Sequence, residues 1–270
     1  MLAILLFVMV ILVLMLGYPV AFTLSGVSIL FALICSLTNN FDLSILYALP
    51  SRIFGIITNE TLVAIPMFIF MGIMLEKSKI AEKLLDSMAA LFKNIKGGLG
   101  ISVIIVGALL AASTGIVGAT VVTMGLLSLP IMMKQKYDTK IATGTILASG
   151  TLGQIIPPSI VLVLLADVFQ GANEQASQIT GDLAPTPVSS VDLFAGAILP
   201  GILLVIMYTL WIFLCSILNP KNFPIKSDAK QNISLISLFL TILPPILLIV
   251  LVLGSILFGI ATPTESASLG

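Results

Sequence analysis

The 270 residues contain no histidine. That removes the commonest general base and metal ligand at neutral pH. Charge is almost as scarce: 9% of the chain is Asp, Glu, Lys or Arg, against roughly 25% in soluble globular domains. The twelve basic and twelve acidic residues cancel, so no bulk charge points to nucleic acid. The two cysteines, Cys35 and Cys215, lie inside apolar runs, which reads as buried thiols rather than a disulfide or metal site. The first residues, Met1 to Leu16, lack the basic stretch of a cleaved signal peptide and read as a retained span. An intramembrane enzyme needs a catalytic group within the bilayer. The spans carry no paired aspartate, and the chain has no Gly-x-Ser-x-Gly elbow. The expectation is that the chain is not an enzyme.

What is present is apolar length. Hydrophobic residues make up 59% of the chain, and several runs exceed the roughly 18 residues that suggest a spanning helix. They do not alternate in polarity as barrel strands would. The runs are 1–16 and 20–37, separated by Gly17-Tyr18-Pro19; 53–75, interrupted by Asn59-Glu60 and Pro66; 99–133; 141–169; 193–218; and 233–260, with Pro244-Pro245 inside. Residues 38–51 read as a polar connection and 171–192 as a polar, non-cytoplasmic loop without lysine or arginine. Residues 76–96 set five lysines against Ile80, Leu84, Leu85, Met88, Leu91 and Phe92, the spacing of an amphipathic helix along a membrane surface. The pattern predicts an all-α polytopic membrane protein with about six spanning helices, one re-entrant helical hairpin and a discontinuous helix.

The hairpin follows from the lysines. The run 99–133 is too long for one crossing, with Lys93 and Lys96 before it and Lys134, Lys136 and Lys140 after it. Basic residues favour the cytoplasmic side, so the segment enters, turns and leaves by the same face. Ser113-Thr114-Gly115-Ile116-Val117-Gly118 supplies the turn. Every lysine belongs to one of three clusters, the third being Lys221, Lys226 and Lys230, and all three fall on one face if the hairpin is re-entrant.

The next run breaks at Gly150-Thr151-Leu152-Gly153-Gln154-Ile155-Ile156-Pro157-Pro158-Ser159. Each proline removes a backbone donor and frees a carbonyl. Carbonyls and hydroxyls at membrane depth suit a hard cation such as sodium, and discontinuous helices are where transporters hold coupling ions. The bland reading sets small residues such as Gly107, Ala108, Ala111 and Ala112 to helix packing and the prolines to a kink. Thr262-Pro263-Thr264-Glu265 has the spacing of a helix cap, beside the alternative of Glu265 as a proton carrier. Glu60 reads as wet, Asp167 as interfacial and Arg52 as solvated.

Four ordered motifs resemble one family. They are residues 107–120, residues 150–159, Ile198-Leu199-Pro200-Gly201 and Gly259-Ile260-Ala261-Thr262-Pro263-Thr264-Glu265. Together they are similar to the large, DctM-like membrane subunit of tripartite ATP-independent periplasmic (TRAP) transporters. The tip Ser-Thr-Gly-Ile-Val-Gly departs from the Ser-Gly-Ser-Ser form common in dicarboxylate and sialic-acid members. The resemblance implies sodium-driven import of an organic acid (carboxylate) across a bacterial inner membrane. It implies as partners a periplasmic substrate-binding protein and a small membrane subunit, with elevator-like motion of a hairpin-bearing domain. It implies two inverted halves, of which this chain matches the first, so that alone it would not transport. On that frame residues 1–96 are scaffold-like, 97–192 hold the hairpin, broken helix and outer loop of a transport-like domain, and 193–270 lead into the next repeat. Carried over by position, sodium would meet a hydroxyl of Ser113 or Thr114 and backbone oxygens of Gly153, Ile156 and Pro158, with Thr151 a neighbour. No substrate-binding residue is implied. The competing readings are a related ion-coupled organic-anion carrier without a binding protein, and a passive scaffold.

Overall fold

Glycine, proline and asparagine decide where the helices stop. The computed structural model describes residues 2–181, 186–223 and 235–268, and among these every regular element is helical. One compact unit, Met1–Thr58, holds α1 (Leu2–Leu14), α2 (Val20–Leu37), a 3-10 turn at Leu43–Ala48 and α3 (Leu49–Ile57). Gly17, at φ 85°, separates α1 from α2, so the first two runs are two helices. The Asp42 carboxylate caps the 3-10 turn by accepting from the Ser44 N–H at 2.9 Å; the polar connection expected there is itself partly helical. Most large apolar side chains of this unit face outward, as they do where the solvent is lipid.

The second unit, Asn59–Gly270, contains α4 (Glu60–Lys77), α5 (Ile80–Leu91), α6 (Gly98–Thr114), α7 (Val117–Lys134), α8 (Thr139–Thr151), α9 (Ile160–Thr180), α10 (Ser190–Leu218), α11 (Leu235–Leu257) and α12 (Pro263–Ser268). Among the described residues, Val20–Leu37, Val117–Lys134, Ser190–Leu218 and Phe239–Leu257 are long and apolar enough to cross a membrane, and Leu2–Leu14 and Gly98–Leu110 are shorter apolar helices. The chain is an all-α polytopic membrane protein.

Three readings are refined. The run 53–75 is interrupted at Asn59-Glu60 as expected, where α3 ends at Ile57 and Asn59 starts α4 by accepting from the Thr61 and Leu62 N–H groups, but Pro66 lies inside α4 and does not break it. Residues 171–180 are not loop. They continue α9, because Ala172, Glu174, Gln175 and Ala176 are strong helix formers, and the helix stops at Gly181 in the left-handed region at φ 71°. The amphipathic segment is narrower than expected, α5 alone, bounded by left-handed Lys79. Its apolar stripe seats on protein rather than lipid: Ala81, Leu84, Leu85 and Met88 are buried in a core shared with α6, α7 and α8.

The segment 99–133 is a hairpin. Tyr137, just beyond α7, returns to the start of α6, where the Gly100 and Leu99 N–H groups lie near its phenolic oxygen. Burial pushes the Tyr137 phenol up, and those two backbone donors pull it the other way. Phe223 packs edge-on against Tyr137, with ring centroids 5.5 Å apart, and the Asp138 N–H donates to the Asn222 carbonyl at 3.3 Å. A Cβ on Gly97 would lie 3.0 Å from that of Ser216. Thus the chain beside Lys96, Lys134, Lys140 and Lys221 converges at one end of this unit, and basic residues favour the cytoplasmic side. Arms of 17 and 18 residues rise about 25–27 Å at 1.5 Å per residue, a length comparable with a hydrocarbon layer of about 30 Å.

Candidate functional site

The two breaks singled out in the sequence meet. At the hairpin tip α6 ends at Thr114, Gly115 adopts φ 59°, Ile116 is extended and α7 begins at Val117. Only glycine takes that φ without penalty. At the other break α8 ends at Thr151 and a 3-10 turn covers Leu152–Gln154. Ile155 to Pro158 follow with a cis Pro157-Pro158 bond, and Ser159 opens α9. A Cβ placed on Gly115 would lie 3.7 Å from the Pro158 carbonyl oxygen and 3.5 Å from the Ile160 side chain. The C-termini of α6 and α8 and the N-termini of α7 and α9 therefore gather at one locus. Helix C-termini carry partial negative charge and N-termini partial positive charge. Such a locus offers carbonyls to a cation and amides to an anion, side by side.

Local chemistry holds the broken helix open. In a continuing helix the N–H groups of residues 157 and 158 would bond the carbonyls of Gly153 and Gln154; as prolines they cannot. The buried Ser159 hydroxyl replaces one of them, donating to the Gln154 carbonyl at 2.8 Å. The same oxygen accepts from the Leu162 N–H at 3.4 Å and so caps α9. The Gln154 amide nitrogen donates to the Gly115 carbonyl at 2.5 Å, and its side-chain oxygen accepts from the Val161 N–H at 3.3 Å.

Close helix approach seats both breaks. A Cβ on Gly107 of α6 would fall 2.5 Å from Ser149 Cβ, and one on Gly150 would fall 2.3 Å from Val121 Cγ2. Neither fits without displacement. On the far side of the linker, a Cβ on Gly201 of α10 would meet Ile156 Cγ1 at 3.0 Å. The motif at 198–201 is thus the place where α10 presses on the break.

Of the site residues read from sequence, Gly153, Ile156 and Pro158 all lie in the linker, with Gly153 and Pro158 buried. Ser113 and Thr114 end α6 next to the tip, and their side chains lie outside the described residues, as does that of Glu60. Thr151 is exposed and its hydroxyl bonds back to the Ala148 carbonyl at 2.8 Å. Glu265 forms a capping box: the Thr262 N–H donates to its carboxylate at 2.8 Å and the Glu265 N–H to the Thr262 hydroxyl at 3.3 Å. Asp167 is engaged with protein, accepting from the Asn59 amide at 2.7 Å. Among the described residues no group of three or more Cys, Asp or Glu could hold a metal ion. Sequence reasoning placed Gln154 and Ser159 within a motif but gave them no part. Their signal was polarity inside an apolar, proline-broken run.

The family model described as "Tripartite ATP-independent periplasmic transporter, DctM component" matches residues 7–270. The chain belongs to this family. It is 34% identical over 222 residues to the C4-dicarboxylate TRAP transporter large permease protein of Rhodobacter capsulatus, covering 81% of this chain and 48% of that protein. The Vibrio cholerae protein of the same description is 31% identical over 274 residues, covering 98% of this chain and 53% of that one. The sialic acid TRAP transporter large permease of Vibrio cholerae is 30% identical, covering 93% of this chain and 53% of its own. The chain thus spans about half the length of the TRAP permeases it matches. The hairpin and broken helix described above are features of a TRAP large-subunit sequence.

Proposed function

We propose that the chain is part of the large permease subunit of a sodium-coupled secondary transporter that imports an organic acid across a bacterial inner membrane. The substrate carries a carboxylate and is delivered by a periplasmic binding protein. A small membrane subunit completes the membrane complex. The observation that carries this reading is the convergence of four helix ends at the contact between Gly115 and Pro158. Half-helix C-termini favour a coupling cation and half-helix N-termini an anionic substrate. The family membership and the carboxylate-bearing substrates in the relatives' names support the same substrate class.

Sodium is the cargo that drives uptake. Its ligands in this half are a hydroxyl of Ser113 or Thr114 and the carbonyls of Gly153, Ile156 and Pro158. These are uncharged oxygens, the donor type hard cations take. The full-length subunit, reconstituted with its small membrane subunit and binding protein in proteoliposomes, tests the reading with succinate as probe. Succinate accumulation under an inward sodium gradient, lost when choline replaces sodium and lost without the binding protein, is the expected result. Sodium-independent accumulation removes the coupling. Accumulation without the binding protein favours the simpler ion-coupled carrier, and no flux for any carboxylate favours a scaffold.

A further inference from the structure

We infer that Gln154 is a positioning residue for the cation site, a side-chain strap that sets the spacing between the hairpin tip and the broken helix. The inference rests on the sodium reading above and names the residue that tunes it. The amide touches two separate pieces of backbone and one side-chain hydroxyl. Its nitrogen donates to the Gly115 carbonyl of the tip at 2.5 Å. Its oxygen accepts from the Val161 N–H in the first turn of α9 at 3.3 Å and from the Ser159 hydroxyl at 3.4 Å. The Gln154 main-chain carbonyl accepts from the same hydroxyl at 2.8 Å.

The partners fix the amide's orientation. A carbonyl on one side demands the NH2 group, and a backbone N–H on the other demands the oxygen. A flipped amide would set oxygen against oxygen and donor against donor. Neither break can hold the other in place through its own backbone. The tip bends at a glycine, which imposes no spacing, and the linker ends in two residues without donors. Among the described residues, Gln154 is the side chain that joins the two by a hydrogen bond. Gln154 lies beside Gly153 and two residues before Ile156, so a strap at this point sets how far the linker carbonyls stand from the end of α6. Cation affinity depends on ligand spacing and rigidity. Losing the strap loosens the cage without removing a ligand, and so weakens sodium binding.

The test uses the full-length large subunit purified in detergent. Its thermal midpoint is followed against sodium chloride, with choline chloride holding ionic strength constant. A ligand that binds the folded state raises the midpoint with a concentration dependence set by its dissociation constant, so half-saturation is read without a substrate. Gln154→Met keeps length and loses the amide. The expected result is a sodium half-saturation about tenfold higher, the equivalent of one lost hydrogen bond of about 1.4 kcal/mol. Gln154→Asn, whose amide falls one methylene short of Gly115, gives the same direction and serves if the methionine variant does not fold. Thr262→Ala separates positioning from general loosening. It strips the α12 cap, whose hydroxyl bonds neither break, so it lowers the midpoint in choline and keeps the half-saturation within about twofold of wild type. A wild-type half-saturation in both Gln154 variants overturns the inference, as does a Thr262→Ala variant that raises it as much as Gln154→Met. A wild-type protein whose midpoint rises equally in sodium and choline overturns the sodium reading itself, which is a different result from unaltered variants of a sodium-responsive protein.

Discussion

At the residue scale, the glycines at the crossings have sharper consequences than the polar groups. Gly150 sits where α8 crosses α7, and an added methyl would fall 2.3 Å from Val121 Cγ2 and 3.0 Å from its Cα. The backbone atom cannot swing aside, so Gly150→Ala must push the two helices apart. Overpacking of this kind costs about 1–3 kcal/mol. A fall in the thermal midpoint of the purified full-length subunit checks it, and an unchanged midpoint would show that the crossing is loose. A methyl added at Gly118 or Gly144 would have nothing within 4 Å, so alanine at either position is expected to leave the midpoint in place. Ser113→Ala, and Thr114→Val beside it, address the ion: the variant that raises the sodium half-saturation about tenfold identifies the hydroxyl ligand, and if neither does, the hydroxyl assignment is wrong. Glu265 belongs to the cap. Thr262→Ala is expected to lower stability by about 0.5–2 kcal/mol, as N-cap removal does. Glu265→Gln, which retains an acceptor, is expected to leave succinate uptake intact; loss of uptake in that variant with normal stability would restore Glu265 as a proton carrier.

At the element scale, the hairpin and the broken helix make one structural argument. Both interruptions expose helix ends in a region where lipid would satisfy none of them. Their mutual contact, together with Gly201 of α10 behind Ile156, encloses the exposed backbone in protein. Topology can be read by cysteine labelling after Cys35 and Cys215 are replaced by serine. A cysteine at Gly181, which ends α9, is expected to react with an impermeant maleimide added outside intact cells. A cysteine at Gly115 is expected to react only with a small reagent that enters a cavity. Rapid labelling of Gly115→Cys by the impermeant reagent from both sides, or no labelling of Gly181→Cys from outside, would contradict the hairpin's placement. Lysine positions made the hairpin legible because charge has a preferred side of the membrane. The helical stretch at 171–180 was not legible as structure, because its polar residues look alike in a helix at the membrane edge and in a loop.

At the scale of the whole molecule, the two compact units differ in what covers their apolar surfaces. In Met1–Thr58 side chains such as Phe22 and Leu16 face outward, at 76% and 71% exposure. The second unit buries two clusters. One is built around α5, α6, α7 and α8; the other joins Ala64, Phe68 and Met71 of α4 with Val163, Phe194, Val252, Ile256 and Ala267. Residue composition does not distinguish these fates, since a leucine facing lipid and a leucine facing protein are equally apolar. That is why α5 read as a membrane-surface helix while its stripe packs inside.

The amino-acid sequence by itself determined the solvent and the two interruptions. Long apolar runs require lipid, and glycine and proline impose their backbone limits wherever they stand; the lysines add the expectation of sidedness, since they favour the cytoplasmic face. Only the tertiary structure decided that the interruptions touch, that Gln154 ties them together, and which glycines stand at crossings. Those facts depend on residues 39 apart in the chain, as Gly115 and Gln154 are. No local rule of propensity or periodicity acts over such a separation; packing does.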